Sequence, residues 1–369
     1  MLLTTSIKLL TTAEDKQKLL KTMYQFNSAC DFISQFCFQQ KVYSKVNIQK
    51  EIYYQIREQF NLPAQFAIRA ISRVAVSYKT DKKIQHTFKK NSSVEYDQRL
   101  LNWKKLDRIS ILSLDGRLTI PIIFGQYSKL TERVIRNSAK LIYKNKEFYL
   151  QASVEVPEAQ LQEVQEFLGV DLGIVNLAAT SDGTLYSGKQ VEAVRKHYVD
   201  LRGRLQSVNT KSSKRHLKKI SGKERRFKRN TNHVISKQIV SNAKKALKGI
   251  ALEDLENFKK TVRRDQRDKF GKWAFRELSG FICYKSKVEG VPTSKVDPRN
   301  TSRTCPKCSN VHKDNRRSQS EFKCNVCGFS GHADIIAATN IATRAAVNQL
   351  IAANTTVLSS KPTTLVVGN

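Results

Sequence analysis

Two sets of side chains in this 369-residue chain have types and spacings suited to metal chemistry. The first is Cys305-Pro306-Lys307-Cys308 with Cys324-Asn325-Val326-Cys327, two C-x2-C pairs separated by fifteen residues. Two thiolates placed this way reach one tetrahedral ion at about 2.3 Å, and a second pair closes the site. Four thiolates leave no open coordination position. The spacing therefore predicts a structural Zn²⁺ on Cys305, Cys308, Cys324 and Cys327, and the nearby His312 and His332 are not needed as ligands.

The second set is three acids in or beside apolar segments. Asp171 lies in Leu168-Gly169-Val170-Asp171-Leu172-Gly173, Glu253 ends Ile250-Ala251-Leu252-Glu253, and Asp334 opens the alanine-rich Asp334-Ile335-Ile336-Ala337-Ala338. An acid in an apolar strand costs free energy unless it is paired, hydrogen-bonded or bound to a cation. Convergence of all three would create a repulsion that divalent cations relieve, and hard carboxylate oxygens suit Mg²⁺. Two such ions stabilise the attacking and leaving oxygens of a phosphodiester. Singly, each acid has a plainer reading: Asp334 as a helix N-cap, Asp171 as a turn residue before Gly173, Glu253 as the partner of a nearby lysine. Spacing alone does not bring them together.

The elements that must position these groups fall into two styles. Near the N-terminus, Thr11 and Glu14 have capping-box spacing, and Leu19, Met23, Phe26, Cys30 and Ile33 follow on one helical face. Cys30 and Cys37 read as small core residues. A second helix follows Pro63, with Ile68, Ile71, Val74 and Tyr78 on one face and Arg69, Arg73 and Lys79 elsewhere, facing either solvent or a nucleic-acid backbone. From 109 to 155 the period becomes two. Phe148, Leu150, Ala152 and Val154 alternate with polar neighbours after a turn at Lys144-Asn145-Lys146.

Beyond an acidic stretch, 168–173 and 176–180 read as an antiparallel strand pair, and Asp182-Gly183 as the turn into a third strand at 184–186. A basic run, 195–229, precedes a helix from about His233 to Leu247 and the strand carrying Glu253. A helix through Trp273, Leu278 and Ile282 and a strand near 291–296 lead to the cysteines.

Lys and Arg number 65 against 32 Asp and Glu, a formal net charge of +33. Such an excess predicts a polyanionic partner, with no preference between DNA and RNA. An odd cysteine count with paired C-x-x-C units does not fit a secreted disulfide framework. No segment has the length of a membrane span, and the first residues lack a signal-peptide pattern. The expectation is a soluble protein of a reducing compartment.

Taken together the motifs resemble the TnpB (OrfB) family of bacterial insertion-sequence proteins. Gly169-Val170-Asp171-Leu172-Gly173, Leu252-Glu253-Asp254-Leu255 and Asp334 to Ile341 are similar to that family's three RuvC motifs, and Thr301-Ser302-Arg303-Thr304-Cys305 to its approach to the zinc ribbon. Asn232-His233-Val234-Ile235-Ser236, Trp273 and Tyr284-Lys285 match the intervening segments. Ile336 departs from the pattern, which has Asn at that place.

The resemblance implies an α+β multidomain protein. An N-terminal helical domain and a small β-barrel, residues 1–165, come first (helices about 12–108, strands about 109–155). An RNase H-like (RuvC) α/β domain occupies 166–300 and 331–353, with a zinc ribbon inserted at 301–330 and a flexible tail at 354–369. It implies Asp171, Glu253 and Asp334 as catalytic ligands of two Mg²⁺ ions. It implies a transposon-derived guide RNA and a DNA target as partners, RNA-guided DNA cleavage as the activity, and the bacterial cytoplasm or nucleoid as the setting. No membrane and no small-molecule substrate are expected. Arg202, Arg204, Arg215, Arg225, Arg226 and Arg229, in the basic run between the first two motifs, are the candidate phosphate contacts. The competing readings are a non-cleaving RNA-guided or DNA-binding regulator and a transposase acting directly on transposon ends.

Overall fold

The computed structural model describes residues 1–104, 107–124, 135–255 and 275–359. The chain divides into two units, Met1–Pro157 and Glu158–Asn369. The stretch around 158–165 goes with the second unit because its backbone is tied there. Ala159 N–H donates to Lys287 O and Gln162 N–H to Gly290 O.

The first unit opens with a strand that the sequence reading did not expect, β1 (Leu2–Leu9). Three helices follow, α1 (Ala13–Gln40), α2 (Lys45–Gln59) and α3 (Ala64–Thr80), then strands β2 (Val94–Tyr96), β3 (Leu101–Lys104), β4 (Arg108–Ser113), β5 (Gly116–Phe124), β6 (Ile135–Lys144) and β7 (Glu147–Glu155). The helical expectation for 12–108 therefore ends at Thr80, and loops with β2 and β3 follow as far as residue 104. These form one sheet in the order β2-β6-β7-β1-β5-β4-β3. β3 also lies against β6, so the sheet curls toward a barrel.

The cap of α1 is one residue later than the sequence spacing suggests. Thr12 is the last extended residue, and Asp15 N–H donates to its Oγ1 while Thr12 N–H donates to Asp15 Oδ2, both at 3.1 Å. The basic residues of α3 are internal fastenings. Arg69 Nη2 donates to Asp97 Oδ2 at 2.7 Å, and Arg73 donates to Ser93 O and lies over the rings of Phe26 and Phe88. Neither is a free phosphate contact.

The second unit contains β8 (Phe167–Asp171), β9 (Asn176–Thr180), β10 (Leu185–Ser187), α4 (Lys189–Val208), α5 (Lys211–Ile220), α6 (Lys223–Lys245), β11 (Gly249–Glu253), α7 (Phe275–Glu289), β12 (Thr293–Val296), β13 (Glu321–Lys323), β14 (Ser330–His332) and α8 (Ala333–Ser359). Trp273 lies outside the described residues. α8 runs through 354–359, where a loose tail was expected, and 360–369 lie outside the described residues. The basic run folds as α4, α5 and the start of α6, so α6 begins ten residues before the expected His233. Val191, Val194, Tyr198, Leu201 and Leu205, at steps of three and four, are half-buried on α4, and the cations occupy its other sides.

The five-stranded sheet has the order β10-β9-β8-β11-β12. β8, β9 and β10 are antiparallel neighbours, and β11 runs parallel to both β8 and β12. Parallel pairing requires a crossover, which α4 to α6 supply between β10 and β11. Side-chain alternation assigns the two faces. Leu168, Val170, Ile250 and Leu252 pack with residues of α6 and α7, whereas Phe167 and Ala251 pack with Ile341 and Ala345 of α8. Gly169 faces α8 as well. A Cβ there would sit 1.9 Å from Ala338 O and 2.7 Å from Ala342 N, so the helix backbone rests directly on the strand.

Gly169→Ala is expected to cost about 3 kcal/mol or more, because backbone on both sides must give way. Gly183→Ala, at φ +92° in open space, is expected to cost only about 1 kcal/mol from its backbone conformation. Thermal melts of both variants measure the difference. Equal melting temperatures would contradict the close approach.

Candidate metal centres and their surroundings

The same alternation that places Gly169 toward α8 places Asp171, two residues on, toward it. On the neighbouring strand Ala251 pairs with Gly169 and Leu252 with Val170, so Glu253 comes level with Asp171 on the same face. Both carboxylates emerge at the carboxyl ends of adjacent parallel strands, where open α/β sheets gather their ligands. α8 begins beside them. Ala338 lies over Gly169, and Asp334 is one helical turn earlier on the same side. Tertiary folding thus gathers three acids separated by up to 163 positions, 334 minus 171.

Each carboxylate has its own attachments. Thr301 Oγ1 donates to Glu253 Oε1 at 2.6 Å. Asn176 Nδ2 donates to Asp334 Oδ2 at 2.9 Å, and Arg316 Nη2 donates to Asp334 Oδ1 at 2.8 Å. Asn340 of α8 donates to Thr301 O and Thr304 O, both at 2.8 Å, which fixes the segment leading from the site to Cys305. The plainer readings of the acids do not hold: Asp334 lies inside the first turn of α8, Asp171 ends a strand, and the hydrogen-bond partner of Glu253 is a threonine.

Burial pushes the Asp171 carboxyl up to about 7, and Glu253 and Asp334 push the same way, against Arg316 and the Leu172 N–H. Burial also raises Glu253, opposed by the Thr301 hydrogen bond and by Arg344. Two guanidinia, those of Arg316 and Arg344, against three carboxylates still leave an excess of negative charge, the condition under which hard divalent cations bind. The trio is open, since its oxygens are not among the ligand sets that close to within 4.8 Å.

Among the described residues the group that does close to 4.8 Å is Cys305, Cys308, Cys324 and Cys327. Cys305 and Cys327 Sγ are 3.6 Å apart, as are Cys308 and Cys324 Sγ. The edge of a tetrahedron with 2.3 Å metal–sulfur bonds is about 3.8 Å, so the four sulfurs fit a zinc-sized ion. The two knuckles share a backbone device. The residue after each second cysteine, Ser309 and Gly328, has positive φ, and its N–H donates to the carbonyl of the first cysteine, Cys305 or Cys324. The Cys327 N–H, followed by that of Val326, holds the Cys324 thiol down at about 6, whereas, against the Asn310 N–H, the neighbouring sulfurs push the Cys308 thiol up to about 12, as befits four thiols crowded at one point. His312 instead caps a 3-10 turn, its Nδ1 accepting from Asp314 N–H.

Ile336, where the motif has asparagine, is buried with Cys305, Phe322, Cys324 and Ala333. It fastens the first turn of α8 to the cysteine module. Asn176 and Arg316 were not among the sequence candidates, and no spacing rule singles them out. Of the six candidate arginines, Arg204, Arg215, Arg225, Arg226 and Arg229 are exposed on α4 to α6. Arg202 pairs with Glu224 at 2.8 Å, and Arg229 pairs with Glu277 at 3.8 Å and lies over Phe281. A groove of about 1050 Å³ lined by Phe167, Leu247, Lys248 and Pro292 opens at the starts of the parallel strands, the end away from the carboxylates.

Comparison with known proteins converges on these two clusters. Residues 151–260 match the OrfB family described as a probable transposase, and residues 275–341 match the Cas12f1-like TNB domain. The CRISPR-associated endodeoxyribonuclease Cas12f1 of Sulfoacidibacillus thermotolerans is 28% identical over 258 residues, 65% of this chain and 59% of the relative. A TnpB-like protein of Methanocaldococcus jannaschii is 34% identical over 128 residues, 34% of this chain and 45% of the relative. This chain therefore spans about half the length of these curated relatives. A Cas12f1 in complex with guide RNA and target DNA has the same fold, with a TM-score of 0.58 at 16% identity over 88% of this chain and 82% of that one. The segments holding Asp171, Glu253, Asp334 and the four cysteines are the segments these matches cover, and the chain is similar to TnpB (OrfB) proteins over residues 151–260 and to Cas12f1-like proteins over residues 275–341.

Proposed function

We propose that this protein is a transposon-associated, RNA-guided DNA endonuclease that cuts phosphodiester bonds at Asp171, Glu253 and Asp334. The observation that carries this reading is the convergence of those acids on one face of the sheet at the ends of β8 and β11. The five-stranded order, three antiparallel strands followed by two parallel ones, fits an RNase H-like (RuvC) core. The cysteine module between β12 and α8 is then its inserted zinc ribbon.

Two Mg²⁺ ions, when bound, would activate water and stabilise the leaving oxygen. The chain's own residues arrange the ligands. Thr301 fixes one oxygen of Glu253 and leaves the other available. Asn176 orients Asp334 from the start of β9, and Asn340 holds the Thr301 backbone. Exposed Arg204, Arg215, Arg225 and Arg226 supply positive charge for a nucleic-acid backbone. The relative named as a CRISPR-associated endodeoxyribonuclease and the similar fold solved with guide RNA and target DNA support guide RNA and DNA as the partners, with residues 1–157 holding the guide and reading the DNA flank. No helix among the described residues is long and apolar enough to cross a membrane.

The test is to purify the chain with its co-expressed transposon end, sequence the RNA that accompanies it, and present matching duplex DNA with Mg²⁺. Cleavage dependent on both RNA and metal is the expected result. RNA-dependent binding without cleavage would make the protein a regulator, and cutting at transposon ends without RNA would make it a direct transposase.

A further inference from the structure

Gly280 stands in the middle of α7, and nothing in the fold asks for a glycine there. Its φ is not positive, and a Cβ added to it would meet no atom within 4 Å. Gly169 differs, because a Cβ there would strike α8. A glycine inside a helix is destabilising relative to alanine. The remaining physical use of its missing side chain is to let another backbone come close from outside.

The neighbouring side chains indicate what would approach. On α7, Arg276, Gly280, Tyr284 and Lys287 follow at steps of four and three, exposed except for the half-buried Tyr284. Alongside, α6 completes a firm floor. The His233 and Phe281 rings are stacked, with centroids 3.9 Å apart and planes at 15°, and Tyr284 meets Phe281 edge-on at 5.9 Å. Lys285 Nζ donates to His233 O at 2.6 Å and to Ser236 Oγ at 2.7 Å, which pins the two helices together. Lys237, one turn beyond His233, is exposed and near enough that its charge, after burial, lowers the Lys285 amine to about 8. Glu277 is already engaged by Arg229 and Asn232. Among the described residues, Lys237 and Lys287 have no acidic partner. Cations fixed around an open notch suit a chain that carries a charge on every phosphate and needs room for every sugar.

We propose that the outer face between α6 and α7 seats a nucleic-acid backbone, which passes over Gly280 and rests its phosphates on Lys237 and Lys287. The proposal rests on the nucleic-acid-binding reading above and gives it a second place in the fold, apart from the exposed arginines of α4 to α6. RNA and DNA share the chemistry that this face recognises, and the probes below tell them apart.

The experiment uses the full-length, zinc-loaded protein and fluorescein-labelled probes of one sequence: a single-stranded RNA, a single-stranded DNA and their hybrid duplex. Gly280→Ala is expected to melt above wild type, because alanine favours the helix and has room. It is nevertheless expected to bind about threefold more weakly by fluorescence anisotropy, and Gly280→Leu about tenfold more weakly. The probe that loses most identifies the strand. Acylation of Lys237 and Lys287 by an N-hydroxysuccinimide ester, read by mass spectrometry, is expected to fall when that probe is bound. Gly280→Ala melting below wild type would show that the fold itself needs the glycine and overturns the proposal. Gly280→Leu binding every probe within about twofold of wild type also overturns it. So does unchanged acylation of both lysines under saturating probe. A wild-type protein that binds no probe sinks the nucleic-acid reading together with this one. Binding by wild type that is indifferent to Gly280 sinks this one alone.

Discussion

Asp171→Asn is expected to lower Mg²⁺-dependent DNA cleavage by about 10³-fold or more, while nucleic-acid binding stays within a few-fold of wild type. The loss corresponds to about 4 kcal/mol, the scale of charge stabilisation that a metal ligand supplies in a transition state. The same substitution is expected to stabilise the fold in buffer without added divalent cation. Asp171 titrates at about 7 in the folded chain against 3.8 ordinarily, chiefly through burial and then through Glu253 and Asp334. Between those values the folded state keeps a proton that the unfolded state has lost, so stability falls as pH rises from about 4 to about 7. Above pH 7 the penalty is fully present, with an upper bound of about 4 kcal/mol from the size of the shift. An amide in place of the carboxyl removes it. The variant is expected to melt several degrees above wild type at pH 8 and level with it near pH 4. Melting scans across that range with cleavage assays at pH 8 check both halves. A variant that cuts like wild type removes Asp171 from the chemistry, and one that melts below wild type at pH 8 removes the charge crowding.

Cys324→Ser is expected to unfold the cysteine module and to reduce cleavage at least a hundredfold, although none of the four cysteines is among the three acids. The module's buried core is Cys305, Phe322 and Cys324 with Ala333 and Ile336 from α8, and Cys327 and Phe329 are half-buried against it. So small an apolar cluster cannot offset the entropy of ordering about thirty residues, so the metal must supply the folding free energy. Structural zinc contributes about 10–16 kcal/mol in comparable small sites. Its loss would release Thr301 from Glu253 and Arg316 from Asp334, since both lie on the module or its approach. Freshly purified wild type is expected to carry one zinc per chain by elemental analysis. The variant is expected to carry none and to be cut by protease between residues 301 and 332. A zinc-free variant that remains protease-resistant and active would show that the sulfurs do not hold the module together.

Within the sequence, features confined to a few neighbouring residues were legible. The two C-x2-C knuckles need only four residues each to aim two sulfurs at one point. The alternation of β7 and the one-sided face of α3 follow from strand and helix periods, and both are buried as those periods require except at Ile68, which is half-buried. The acids were legible as residues that an apolar segment would not carry without a reason. Their surroundings were not, because Asn176 and Arg316 reach Asp334 from 158 and 18 positions away. A helix period is equally silent about where a basic face points, and so Arg69 and Arg73 could not be told from solvent-facing cations until their partners Asp97 and Ser93 were in place.

Local chemistry in the chain by itself fixed the ligand types, the cysteine geometry and most helix and strand identities. Tertiary structure alone decided the pairings. β1 enters its sheet between β7 and β5, whose residues lie more than a hundred positions along the chain, and no local pattern encodes such a partner. In the second unit, strand register set Glu253 level with Asp171, and the missing side chain of Gly169 let α8 settle low enough to bring Asp334 beside them. A one-residue slip in that register would turn Glu253 to the opposite face, which is why the site belongs to the packed sheet and not to any segment of sequence.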